Sequence, residues 1–139
     1  MKETADSLRQ FKVAHQSILE TIDQIQQSVR FYNQVKPHIR ILEDQLLVYF
    51  GKQDENLYGP LIVHYAANRE ATKMIEFLRL DLRDLKIKLL IFFDQHSGEM
   101  GDQHARNFPK DFMEFAAAVI GRMRIEEDYL FPLLQNFPK

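Results

Sequence analysis

Apolar residues recur at alternating steps of three and four along four stretches of the chain. The first series is Leu8, Phe11, His15, Ile18, Ile22, Ile25, Val29 and Tyr32. That spacing places one stripe on one face of a helix. Every member except His15 is apolar or aromatic. Pro37 then ends this helix or opens the next at its first turn. The second series is Ile39, Leu42, Leu46, Tyr49 and Phe50, on a helix running from about Pro37 toward Leu61. Gly51 weakens that helix, and Gly59-Pro60 kinks or ends it. The stretch 62–68 reads as a bend or short helix, with Asn68 capping the element that follows.

The third series is Ile75, Leu78, Leu82, Leu85, Leu89 and Phe92. A polar stretch from Gln95 to Asn107 reads as a loop, long for a bundle connection. Pro109 stands where a helix starts well. The fourth helix runs from there to about Leu134, with Phe112, Phe115, Val119, Met123 and Leu130 inward and Pro132 near its end. Strand-type alternation is absent over any useful length. The prediction is all-α: one domain over residues 1–139, an antiparallel up-down-up-down four-helix bundle.

The stripes also match each other. Leu8, Phe11, Ile18 and Ile22 fall on Ile75, Leu78, Leu85 and Leu89, and His15 falls on Leu82. Asp54-Glu55 falls on Glu126-Glu127, and Leu57–Leu61 falls on Tyr129–Leu133, proline on proline. The expectation is two helical hairpins related by an internal pseudo-two-fold repeat. Such symmetry brings His15, Leu82, Phe50, Arg122, Asp54 and Glu126 to one level of the core.

Composition narrows the functions. The chain has 139 residues, 45% of them hydrophobic and 27% charged, an ordinary globular mixture. A net charge of −2 gives no pull toward nucleic acid or an anionic membrane. Cysteine is absent, which excludes disulfides and thiolate chemistry and fits a cytoplasmic protein. The longest apolar run, 89–93, is far too short to span a bilayer. No Gly-rich phosphate loop or nucleophile-base spacing stands out, so the chain is read as no enzyme.

Two segments, "RIEEDYLFPLL" (124–134) and "KQDENLYGPLI" (52–62), resemble the acid-acid-x-x-Leu-Phe-Pro signature of hemerythrin-like domains. "FKVAHQSILETIDQI" (11–25) is similar to that family's first helix with its metal-binding histidine. The resemblance implies a di-iron site in the bundle core, with ligands from all four helices, and an oxygen, iron or redox role. Carried over residue by residue, the first-helix histidine is His15. The others fall on Phe50, Leu82 and Arg122, while acids remain at Asp54 and at Glu126 or Glu127. Leu and Phe cannot coordinate, and a cation repels a metal. The expectation is therefore no di-iron centre. His15, Asp54, Glu126 and Glu127 are the residues left to hold iron or another divalent metal weakly.

Arg122 offers a substitute. A guanidinium can pair with Asp54 and Glu126 and reach toward His15, forming a buried network where the metal would stand. The competing reading is an ordinary surface pair between Arg122 and Glu126, four residues apart. His15 is read as a hydrogen-bonded core histidine. His96, Glu99, Asp102 and His104 are read as a solvated polar loop, and Arg79, Arg83, Lys86 and Lys88 with Asp81 and Asp84 as a solvated face. Phe31, Tyr65 and Phe137 are candidate interface residues.

Three functions follow. The first is a hemerythrin-like bundle without its iron, acting as a non-enzymatic regulatory module with a protein partner. The second is a metal-binding sensor with a reduced site at His15, Asp54 and Glu126. The third is an anti-sigma regulator: "LLVYF" (46–50) and "GRMRIEEDYL" (121–130) are similar to segments of bacterial regulators of the Rsd type.

Overall fold

The computed structural model describes the backbone of residues 2–96 and 102–136 and the side chains of 8–53, 57–96 and 106–136. The stripes become α1 (Lys2–Gln27), α2 (Tyr32–Asn56), a short α3 (Tyr58–His64), α4 (Arg69–His96) and α5 (Asp102–Ile125). A π-helical turn (Glu126–Leu130) and α6 (Phe131–Gln135) complete the last arm. Among the described residues there is no strand, and no helix is long and apolar enough to cross a membrane. The four long helices form a bundle: α1 packs along α2, α4 along α5, and α2 against α4.

The core is the set of stripes read from the sequence. Ile18, Ile22 and Ile25 from α1 meet Leu42 and Leu46 from α2, with Leu78, Leu82 and Leu89 from α4 and Phe112, Val119 and Met123 from α5, all buried. Each such side chain contributes roughly 1.5–3 kcal/mol on leaving water. One end of the bundle is aromatic. Phe92 stacks on Phe115 with ring centroids 4.1 Å apart, and Phe108 and Phe112 close around them. Further along the bundle a polar layer interrupts the apolar core and carries the candidate site, with Leu61, Ile75, Leu130 and Leu134 buried beyond it.

The helix boundaries differ from the sequence reading at three places. Pro37 lies inside α2, which starts at Tyr32. The hydrogen bond that Pro37 cannot donate would go to the Asn33 carbonyl in the first turns, and both residues face water. The stretch expected to be a loop, 95–107, is helical at 95–96 and again from 102. Here tertiary packing overrides local polarity: Phe108 is fully buried against Tyr32 and Phe92, which fixes the turns before Pro109 as helix. His96 is not on a solvated loop. It is buried at the end of α4, with Nε2 2.9 Å from Asp111 Oδ2, and its carbonyl accepts a 2.9 Å bond from the Tyr32 hydroxyl. Glu99 and the side chains of Asp102 and His104 lie outside the described residues, as does Phe137.

The third difference is the break near Gly59-Pro60. It falls at Leu57, and Gly59 and Pro60 sit in the first turn of α3, where proline's missing N–H costs nothing. Asn68 caps α4 as expected, its side-chain oxygen accepting from the Ala71 N–H at 3.0 Å. In the last arm, Pro132 cannot bond back to the Asp128 carbonyl. The Phe131 N–H reaches the Glu126 carbonyl, five residues back, which is the π closure. The extra residue in that turn keeps both Glu126 and Leu130 inward.

Candidate functional site

Glu126 is the centre of the polar layer. It opens the π turn with no exposed surface. Its carboxylate receives four donors. His15 Nε2 donates to Oε1 at 2.8 Å, and the Tyr49 hydroxyl donates to the same oxygen. Gln53 Nε2 donates to Oε2 at 2.9 Å and Arg122 Nε at 2.7 Å. Tyr49 spends its single hydrogen on Glu126. His15 Nε2, with one hydrogen to give, lies 2.6 Å from the Tyr49 oxygen and 2.8 Å from Glu126 Oε1, so both acceptors share that N–H.

Arg122, one turn before Glu126 on α5, is equally saturated. Nη1 donates to the Leu78 carbonyl at 2.9 Å and to Asp81 Oδ2 at 3.0 Å. Nη2 donates to the Tyr58 hydroxyl at 2.8 Å and to Gln53 Oε1 at 3.3 Å. With the Nε bond to Glu126, all five guanidinium hydrogens are used. The Tyr58 hydroxyl closes the ring by donating to Gln53 Oε1 at 3.1 Å. Every long helix contributes, as does α3: His15 from α1, Tyr49 and Gln53 from α2, Tyr58 from α3, Asp81 from α4 and Arg122 from α5.

The electrostatics follow from this packing. Burial alone would raise the Glu126 carboxyl. The His15 hydrogen bond, the Arg122 charge and the Tyr49 and Gln53 hydrogen bonds outweigh it and hold the group below the usual carboxylate range. Burial, followed by the adjacent Glu126 charge, pushes the Tyr49 phenol far above its ordinary value. Burial works against the Arg122 charge, but Tyr58, Glu126 and Asp81 overcome it and raise the guanidinium further.

The sequence-predicted residues divide clearly. His15, Arg122 and Glu126 are brought together and buried, so the reading of Arg122 and Glu126 as a surface pair is corrected. Asp54 is in α2, but its side chain lies outside the described residues. Glu127 is largely exposed, with Oε1 3.4 Å from His15 Nδ1, on the opposite edge of the imidazole from Glu126. Among the described residues no group of three or more His, Asp and Glu could hold a metal ion. Asp81 belongs to this network and not to a solvated face alone. Tyr65 is tied to the bundle through a 2.7 Å hydrogen bond to the Leu133 carbonyl, whereas Phe31 is exposed.

Tyr49, Gln53, Tyr58 and Asp81 entered the site without being singled out as members of it. A signal existed for Gln53. Continuing Ile39, Leu42, Leu46 and Tyr49 by the same step lands on Gln53 and not on Asp54. Tyrosines on a buried stripe need a partner for the hydroxyl, which marks Tyr49. Asp81, between Leu78 and Leu82, carries no such signal. Two surface grooves abut the network. One, about 440 Å³ between α1 and α2, is lined in part by Tyr49; the other, about 210 Å³ between α4 and α5, is lined in part by Asp81 and Arg122. Glu126 lines neither. Comparison of the chain with protein-family models, with curated proteins and with solved structures finds no match.

Proposed function

We propose that this chain is a hemerythrin-like bundle in which an arginine–carboxylate clasp stands in place of the metal, and that it acts as a non-enzymatic, protein-binding regulatory module. The observation that carries the reading is saturation. Glu126 already takes four donors and Arg122 already uses all five of its own. Neither group has bonding capacity left for a metal or a substrate. A fully satisfied buried network makes one packing of the helices specific. Chemistry then belongs to the outer surface, where α4 exposes Phe77 and Leu80 and, two turns on past Arg83 and Asp84, Ile87, Leu90 and Ile91. Clustered exposed apolar residues rimmed by charge are a common mark of a protein contact.

The same reading includes an up-down-up-down course and a pseudo-two-fold repeat. Supporting the first, His96 pairs with Asp111, Phe92 with Phe115 and Leu78 with Arg122, so numbers fall along α4 as they rise along α5. Supporting the second, α2 breaks at Leu57 and the last arm turns π at Glu126–Leu130, each just before the matched prolines Pro60 and Pro132.

The deciding experiment is anaerobic incubation with ferrous iron, desalting and elemental analysis. The proposal expects no retained metal and a thermal midpoint unchanged by iron or chelator. About two irons per chain, the stoichiometry of a di-iron bundle, would overturn it and restore an oxygen or redox role. One metal lost on His15→Ala would instead establish the reduced sensor site.

A further inference from the structure

The outer flank of α2 carries a self-complementary ridge. Asp44, Val48 and Lys52 follow one another at four-residue steps and so form a single row on the helix surface. The row has an anion at one end, a cation at the other and an apolar residue midway. Val48 is 57% exposed, and both charged residues are exposed. Neither Asp44 nor Lys52 has an ion pair among the described residues. The groove of about 440 Å³ between α1 and α2 runs beside the row. Phe11, Ala14 and Ile18 line its α1 wall, and Asp44, Val48 and Lys52 line the other. Gln45, on the same wall, has its Oε1 shut from solvent without a hydrogen-bond partner.

We infer that this row docks against the same row of a second copy of the chain, across a two-fold axis through Val48. Rows of this kind interdigitate when two helices cross at about 50°, the commonest helix packing in globular proteins. In the antiparallel arrangement that a two-fold axis imposes, the row reads backward on the partner. Asp44 then faces the partner's Lys52, and Lys52 faces the partner's Asp44. The partner's Val48 enters the groove above Ala14, whose small side chain leaves room for it. One docking step thus covers an exposed valine, fills an apolar groove and makes two charge pairs. A partner of other sequence would have to reproduce this spacing of anion, apolar residue and cation; a second copy carries it already. The contact is tested apart from the metal-free reading, because Asp44, Val48 and Lys52 make no bond to Glu126 or Arg122; only Tyr49, on the groove wall, belongs to both.

The test is sedimentation velocity of the full chain from about 1 to about 100 µM, the range over which interfaces of modest size associate. The wild type is expected to move from monomer to dimer across that range. Lys52→Asp places like charges at both ends of the two-fold contact and should weaken dimerisation at least about tenfold. Asp44→Lys combined with Lys52→Asp restores the pairs with reversed sign and should recover the dimer. Val48→Asp should give a monomer. All three positions are on the surface, and circular dichroism melts should stay near wild type. A wild type that remains monomeric overturns the inference. So does a dimer indifferent to Lys52→Asp and Val48→Asp, which would place the contact elsewhere. Failure of the charge swap to rescue Lys52→Asp overturns the register.

Discussion

Replacing Arg122 with leucine tests whether the clasp holds the bundle together. The substitution leaves the Glu126 carboxylate with no exposed surface and no counter-charge. It also strips donors from the Leu78 carbonyl and the Tyr58 hydroxyl. Removing one partner of a buried pair costs about 3–5 kcal/mol, because the remaining charge is stranded. Against a typical domain stability of roughly 5–15 kcal/mol, that is a large share. The loss has a pH signature. In the wild type Glu126 is held below the usual carboxylate range, so it stabilises the fold above that range and stops doing so as pH falls through its lowered value. In Arg122→Leu the lowering by the Arg122 charge is gone while burial still opposes ionisation, so the carboxyl is pushed upward. The deficit should therefore be largest near neutrality and shrink on acidification toward about pH 4. Urea denaturation followed by circular dichroism at the two pH values measures both quantities. Adding Glu126→Leu removes the stranded charge and should return part of the loss at neutral pH. A deficit below about 1 kcal/mol, or one that ignores pH, would refute the claim that this pair is a buried clasp.

Tyr49→Phe deletes one donor to a buried carboxylate and should cost about 1.5–3 kcal/mol in the same denaturation assay; a neutral result would remove Tyr49 from the network. In spectrophotometric titration of the native protein, Tyr49 should stay protonated through the alkaline range in which exposed tyrosines ionise, and titrate only as the fold is lost. Early ionisation of all five tyrosines would contradict its burial beside Glu126. Gly121→Ala should stabilise α5 by about 0.5–1 kcal/mol, since a Cβ there meets nothing within 4 Å and alanine is the better helix former. A drop in the melting temperature would show that some close approach requires the glycine.

Much of this protein is legible in one dimension. The three-four spacing of apolar residues records which side of each helix leaves water, so the four long helices and nearly the whole core follow from it. The same phase, combined with the matched halves, singled out His15, Arg122 and Glu126 as occupants of one level. Continued one step further, it also contains Gln53. The tertiary structure decided which polar groups meet across that level. Gln53 and Glu126 are 73 residues apart, and Arg122 and Asp81 are 41 apart. Such partners are chosen by the rotation and height at which helices pack, and no local pattern encodes those. The helical start of α5 and the π turn were decided in the same way. Burial of Phe108 overrides a polar stretch before Pro109, and a missing N–H at Pro132 shifts the hydrogen bonds around Glu126. The sequence carries the propensity of each segment. Only the assembled core supplies the competing energy that settles where each helix begins, where its register slips and which charges are buried together.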